Sequence, residues 1–119
     1  MYSAQVLDHF ENPRNSGDLP EASARVRVEN PVCGDILELA VKVEKGIIVA
    51  VRFRARGCVA SVACASRLTE EMIGRSIEEA QEFRRETLLK ALGGLPAGSD
   101  HASHLAMDAL SQALDELPT

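Results

Sequence analysis

The sequence predicts an α+β domain in which a three-stranded antiparallel sheet packs against an N-terminal helix and a C-terminal helical half. An amphipathic segment opens the chain, three segments with alternating apolar and polar residues follow, and from Gly57 onward the apolar residues recur at helical spacing. With 119 residues and 45% hydrophobic residues, the chain suits one compact domain, residues 1–119. Two layers, a sheet covered by helices, are expected for this order of elements.

The first helix is predicted for residues 2–11. Val6, Leu7 and Phe10 fall on one side of it at helical spacing. Pro13 follows, and the residue before a proline is disfavoured in the helical region, so the helix is expected to end there. His9 lies beside the apolar side and has no partner that the sequence identifies.

Three strands are predicted, at residues 25–28, 37–44 and 49–56. Period-two alternation marks a sheet with one buried and one solvated face. The residues predicted to face inward are Val26, Val28, Leu37, Leu39, Val41, Val43, Val49, Val51, Phe53 and Ala55. Lys45-Gly46 is a plausible tight turn, so the second and third strands should form a hairpin. Acidic and basic rows are expected to pair on the solvated face.

The rest of the chain is predicted to be helical. Its first helix is rich in Ala and Ser, whose small side chains allow close packing on the sheet, and the spacing from Ser76 to Glu79 is that of a capping box. The predicted helices occupy residues 59–73, a short segment after Ser76, residues 86–92, and a segment from Ser99 or Asp100 to about residue 117.

The overall charge and the cysteines exclude several classes of protein. A formal net charge of -5 disfavours nucleic acid as the main ligand, because phosphate binding needs a basic excess. No segment has the order of a signal peptide or the length of a membrane span, so no membrane partner is expected. Three cysteines without a secretory signal indicate reduced thiols, and we therefore expect a cytoplasmic protein.

Three candidate ligands are predicted to share one end of the sheet. Cys33 and Asp35 flank Gly34 between the first and second strands, and Cys58 follows the third strand at the start of a helix. Unpaired amides at a helix N-terminus favour a thiolate. Because the second and third strands form a hairpin, the start of one lies beside the end of the other, which places Cys33, Asp35 and Cys58 together.

The histidines and the third cysteine have less specific surroundings. His101 is predicted in the first turn of the last helix, where the dipole favours the neutral ring that binds metals. His104 lies one turn further on the same face. A solvated polar residue is the alternative for each histidine. Cys64, inside the small-residue helix, is predicted to pack in the core.

Four ordered segments carry a resemblance that covers nearly the whole chain. They are the stretch from Tyr2-Ser3 through Val6 to Gly17 with Asn12-Pro13-Arg14-Asn15, the stretch Asn30-Pro31-Val32-Cys33-Gly34-Asp35, residues 53–58 followed by Thr69-Glu70, and Leu95-Pro96 through His101 followed by Ala106-Met107-Asp108-Ala109. In these segments the chain resembles IscU and the N-terminal domain of NifU, the scaffolds on which iron–sulfur clusters are assembled.

The resemblance implies a site and a function. Cys33 and Cys58 would be thiolate ligands, Asp35 a ligand or a labiliser of the cluster, and His101 the family's histidine. The protein would be a scaffold or carrier that binds iron or an iron–sulfur cluster. It would take sulfur from a cysteine desulfurase and pass the cluster to recipient apo-proteins, without catalytic turnover of its own.

The chain departs from the family in two places. The family has Cys directly after the histidine, whereas this chain has Ala102, whose side chain is expected near the rim of the site. A cluster is therefore expected to be held weakly. The family's Pro-Pro-Val-Lys segment, which binds an Hsp70-type chaperone, is here Pro96-Ala97-Gly98-Ser99, so that partner is doubtful.

Two other hypotheses stay open. Cys33, Asp35, Cys58 and His101 form a four-ligand set that suits tetrahedral zinc, so the protein could be a zinc-binding accessory or a regulator that docks on a desulfurase. About one zinc per chain is then expected. An enzyme with Cys58 as nucleophile and His101 as its base ranks last, since no third group that would orient the histidine is evident.

Overall fold

The structure, a computed structural model, describes residues 1–117 and confirms the predicted α+β architecture. The prediction of one domain also covers Pro118 and Thr119, which lie outside the described residues. The elements are α1 (Ala4–Glu11), β1 (Ala24–Glu29), β2 (Ile36–Glu44), β3 (Ile47–Arg56), α2 (Val59–Met72), α3 (Ile77–Gln81), α4 (Arg85–Ala91) and α5 (Asp100–Glu116). None of these helices is both long and apolar enough to cross a membrane.

The three strands form one antiparallel sheet in the order β1-β2-β3. Ile36, the first residue of β2, pairs with Glu29 at the end of β1 and with Arg56 at the end of β3. The predicted turn between β2 and β3 is present, and Lys45 and Gly46 adopt φ values of 53° and 77°. Two consecutive positive φ values are typical of a type I′ hairpin turn.

A β-bulge in β3 changes which residues face the core near this turn. Lys42 pairs with Ala50 but Val43 pairs with Ile48, so Val49 has no partner opposite it. Val49 is 40% exposed and Ile48 is fully buried. The prediction that Val49 faces inward is therefore wrong, because an extra residue in one strand shifts the alternation beyond it.

Helices α2 and α5 both pack on the inner face of the sheet. Small side chains allow this close approach, since Ala60 and Ala63 in α2 and Ala106 and Ala109 in α5 are almost completely buried. The strands contribute larger apolar residues to the same core, among them Leu37, Leu39, Val41, Val51 and Phe53.

Helix α1 is attached to α2 by a buried histidine. His9 is 5% exposed, and its Nδ1 lies 2.7 Å from the hydroxyl of Ser66. Its Nε2 lies 3.4 Å from a carboxylate oxygen of Glu70. Burial lowers the pKa of His9 from its usual value of 6.5. The sequence did not identify these partners, which are more than fifty residues away along the chain.

The residues predicted to cap α3 and α5 are at the N-cap positions, and Ser3 caps α1 although this was not predicted. Ser3 accepts a hydrogen bond from the amide of Val6, and Ser76 and Glu79 form the expected capping box. Ser99 is at the N-cap position of α5, but its side chain makes no capping hydrogen bond. Helix limits differ from the predicted ones by one or two residues, as is usual at frayed ends.

Candidate metal centre

Three segments of the chain meet at one end of the sheet. The loop between β1 and β2 carries Cys33 and Asp35, the junction of β3 with α2 carries Cys58, and the first turn of α5 carries His101. The pairing of Ile36 with Arg56 brings the first two segments together. Packing of α5 on β1 and β2 brings the third segment, the first turn of α5, to the same end of the sheet.

The predicted ligand residues lie close to one another. Cys33, Asp35 and His101 each offer one ligand atom, and these three atoms all lie within 4.8 Å of one another. The Sγ atom of Cys58 lies 3.7 Å from Asp35 Oδ2 and 3.8 Å from His101 Nε2. Asp35 Oδ2 and His101 Nε2 are 3.3 Å apart. The geometry thus groups these side chains, and their role as ligands stays a prediction.

Asp35 forms the buried base of the group. Its side chain is almost wholly inaccessible, whereas Cys33 is exposed and Cys58 and His101 are half-buried. A charge in such a place is costly unless polar groups surround it. Any ion would therefore approach from the side of Cys33 and meet the carboxylate last.

Ser61 supplies a polar partner that the sequence did not indicate. Its hydroxyl is buried in α2 and donates a hydrogen bond to Asp35 Oδ2 across 2.5 Å. The Ser61 hydroxyl oxygen also lies 3.4 Å from Cys58 Sγ. Ser61 comes three residues after Cys58, so one turn of helix separates the two side chains. That spacing was the only signal in the sequence, and it is common in helices.

Gly57 is needed because its backbone passes next to Asp35. A Cβ atom at this position would lie 2.5 Å from both Cγ and Oδ1 of Asp35, closer than real contacts allow. Gly34, which directly precedes Asp35 in the chain, has a φ of 76°, and its amide donates a hydrogen bond to the carbonyl oxygen of Asn30. A glycine adopts this left-handed conformation without strain. These two glycines set the position of the carboxylate.

Ala102 lies in the core. It is 1% exposed and belongs to the inward side of α5, together with Ala106 and Ala109. The expectation that Ala102 lies at the rim is corrected, because α5 packs on the sheet with this side. His104 lies one turn after His101 and lines one groove together with it, but His104 is not among the residues whose ligand atoms converge.

Cys64 packs in the core, as predicted. It is fully buried, and burial raises the pKa of its thiol to about 12. Its side chain is enclosed in the apolar core cluster, and it is not among the residues whose ligand atoms converge at the end of the sheet.

The chemistry of the donor set fits a soft or borderline transition metal ion. Two sulfur atoms, one imidazole nitrogen and one carboxylate oxygen are the ligand types that zinc and iron accept. Ser61 holds the carboxylate in place, as groups behind a metal ligand commonly do. Fold and site together thus define a small α+β domain with a candidate metal centre at the end of its sheet.

The chain belongs to the family of NifU-like N-terminal domains, whose family model matches residues 1–119. The iron-sulfur cluster assembly scaffold protein IscU 1 of Archaeoglobus fulgidus is 45% identical over 114 residues, which are 96% of this chain and 74% of that protein. The scaffold protein IscU of Buchnera aphidicola subsp. Acyrthosiphon pisum is 41% identical, covering 97% of this chain and 93% of that protein. The resemblance noted in the sequence is confirmed.

A solved structure supports the fold independently. The N-terminal part of a nitrogen-fixing NifU-like protein from Brucella abortus aligns with a TM-score of 0.77 at 20% identity, covering 96% of this chain and 92% of that one. At this identity the likeness concerns the fold alone. The predicted sheet and helices are thus those of a NifU-like structure.

Proposed function

We propose that this protein is a scaffold or carrier for iron–sulfur cluster assembly, with iron or the cluster as its cargo. The single observation that carries the proposal is the grouping of Cys33, Asp35, Cys58 and His101 at one accessible end of the sheet. Relatives that are 38% to 45% identical over most of their length are named as such scaffolds, which supports the same function here.

The donor set suits cargo that must be released. Thiolates bind iron strongly, and a carboxylate oxygen binds it less strongly, so Asp35 would weaken the hold on the cluster. Without a thiol at position 102, the cluster has fewer sulfur ligands than it accepts best. We therefore expect a weakly held cluster that is passed on readily.

The proposed function implies partners of defined chemistry. Sulfur for the cluster would come from a cysteine desulfurase, and recipient apo-proteins would take the finished cluster. The protein would act in the cytoplasm and would bind neither nucleic acid nor a membrane. Binding of an Hsp70-type chaperone is not proposed, because Pro96-Ala97-Gly98-Ser99 lacks the lysine and second proline of the family's segment.

A zinc-binding accessory that docks on a desulfurase is the second candidate. The exchange of the family's cysteine for Ala102 favours it, since the four donors that are left match the ligand number of zinc. In this case a zinc ion held by all four donors would have no open coordination position, and no cluster would be assembled.

An enzyme with a thiol nucleophile is not proposed. His101 directs the same atom, Nε2, toward both Cys58 Sγ and Asp35 Oδ2. In a nucleophile–histidine–carboxylate arrangement the carboxylate binds the other ring nitrogen and orients the base. The arrangement here matches ligands around one ion better than it matches a catalytic triad.

Anaerobic reconstitution with iron and sulfide tests the proposal. We expect visible absorption bands of a cluster, which are lost in the variants Cys33→Ala and Cys58→Ala. Cys64→Ala is the matched control, because it removes a thiol outside the site and should keep the bands. Stable zinc binding without any cluster formation would favour the second candidate instead.

A further inference from the structure

The outer face of the sheet carries an excess of basic side chains. The helices pack on the opposite face, so these side chains point away from the core. The whole chain has a formal charge of -5, so the basic excess on this face differs in sign from the molecule as a whole. The basic residues are Arg25, Arg27, Lys42, Arg52, Arg54 and Arg56, and the acidic residues of the same strands are Glu29, Glu38 and Glu44.

Cross-strand ion pairs do not neutralise this face. The register places Glu38 between Arg27 and Arg54. Among residues 1–117, however, Glu38, Arg54 and Arg56 form no ion pair within 4.0 Å. The pairs that are present near this face are Arg25 with Asp18, Arg27 with Glu29, and Lys42 with Glu44. The expected pairing of acidic and basic rows is thus not formed at Glu38.

The free arginines border a depression beside the candidate metal centre. The depression is lined by Arg27, Ile36, Glu38, Arg54, Ala55 and Arg56, and we call it the basic depression. Ile36 directly follows Asp35 in sequence, and only Gly57 separates Arg56 from Cys58. A molecule bound here would therefore be next to the cysteines.

We infer that the basic depression docks a carboxylate-rich segment of a protein partner. Adjacent strands are about 4.8 Å apart, so Arg27 and Arg54, with β2 between them, are separated by about 10 Å. Because arginine side chains are long and flexible, guanidinium groups anchored at this spacing can converge on carboxylates of alternate residues in an extended peptide, which are about 7 Å apart. Glu38 in the middle would repel a single anion at the centre, whereas a segment can place its carboxylates around it.

Nucleic acid is disfavoured as the occupant. The phosphate backbone of a nucleic acid extends beyond the basic depression, so the negative charge of the rest of the molecule would repel it. Nucleic-acid binding depends on an extended basic surface. An acidic peptide segment needs only the local basic area. The inference does not depend on the proposed function, because docking uses no ligand of the metal centre.

The test is an NMR titration of the isotope-labelled, metal-free full chain at low salt. The probe is a capped eight-residue peptide of alternating Glu and Ser. We expect amide shift changes concentrated in β1, at the start of β2 and at the end of β3. Raising the salt concentration should weaken binding, because exposed charges are screened.

Charge reversal distinguishes peptide binding at the basic depression from non-specific electrostatic attraction to the whole molecule. The variant Arg54→Glu/Arg56→Glu should weaken peptide binding by about tenfold, because two exposed pairs are lost and replaced by repulsion. The matched control Arg84→Glu/Lys90→Glu makes the same change in charge at exposed positions around α4 and should alter affinity less than about twofold. Amide spectra report whether each variant is folded, and Arg54→Gln/Arg56→Gln serves if reversal prevents folding.

Three results would overturn the inference. One is equal weakening in the control variant, which would indicate attraction without a site. Another is shift changes spread over the whole molecule, or none at all. The third is inorganic phosphate producing the same shifts at the same affinity, which would indicate a simple anion site.

Discussion

The hydroxyl of Ser61, inside helix α2, donates a hydrogen bond across 2.5 Å to the carboxylate of Asp35 in the loop between β1 and β2. Both side chains are buried. This bond connects the helix that begins at Cys58 to the loop that carries Cys33. It fixes the position of the buried carboxylate before any ion is bound.

Replacing Ser61 by Ala should therefore destabilise the protein. Asp35 would lose its shortest hydrogen bond while still buried and would keep only the longer contacts to Cys58 Sγ and His101 Nε2, a loss of about 1–3 kcal/mol. We expect the free energy of unfolding in urea to fall by this amount and the affinity for Co²⁺ to decrease. Ser111→Ala, at an exposed position of α5, is the control. Unchanged stability in Ser61→Ala would contradict the importance of the bond.

Replacing Gly57 by Ala should disturb the metal centre more than the fold. The new methyl group would lie 2.5 Å from Asp35 Cγ, so the carboxylate must move. We expect weaker Co²⁺ binding, measured from the thiolate-to-metal absorption. Gly74→Ala is the control, because a Cβ there meets nothing within 4 Å while φ is 95°. If both variants bind Co²⁺ equally well, the close approach does not set the site.

Alkylation should distinguish the cysteines. Because burial raises the pKa of Cys64 to about 12, only about one in ten thousand of these thiols is ionised at pH 8. Cys33 is exposed and should react with iodoacetamide first. Mass spectrometry of the digested protein measures the order of labelling. Rapid labelling of Cys64 in folded protein would mean that α2 opens readily.

The variant Ala102→Cys should lengthen the lifetime of a reconstituted cluster. It restores the thiol that the family has after the histidine, at a position next to His101 and shielded from solvent. Ala106→Cys is the matched control, since Ala106 is equally buried one turn further along α5. Decay of the visible absorption under anaerobic conditions is the measurement. Equal decay in both variants would place residue 102 away from the cluster.

Lowering the pH should weaken the attachment of α1 to α2, which His9 provides. The pKa of His9 is lowered in the folded protein, mainly by burial, so the unfolded chain binds a proton more readily. Stability from this residue is complete above the unfolded pKa of 6.5 and falls as the pH drops below that value. Urea unfolding at pH 7.5 and 5.5 should show a larger loss for the native chain than for His9→Gln. The same loss in both proteins would exclude His9 as the cause.

The sequence predicted the elements whose patterns are local. Alternation identified the strands, and the capping residues and Pro13 identified helix limits, because these signals act over a few neighbouring residues. The bulge at Val49 was missed, since an unpaired residue depends on the partner strand. The burial of Ala102 was missed for a related reason: the rotation of α5 about its axis is set by packing.

The candidate site was predicted in part. Hairpin geometry placed Cys33, Asp35 and Cys58 at one end of the sheet, and the resemblance added His101. Ser61 was not predicted, because a serine in a helix rich in small residues is not distinguishable from a packing residue by its sequence context. Its partner Asp35 lies 26 residues away, and only the fold brings the two together.

The donors of the candidate metal centre come from three segments that are far apart in the chain, and this has a consequence for the protein while it is being made. The ribosome delivers Cys33, Asp35 and Cys58 well before His101. The nascent chain thus exposes two thiols and a carboxylate during translation, with the imidazole still absent. Only docking of α5 completes the set, so the four donors come together only after the helical half has been synthesised and has folded.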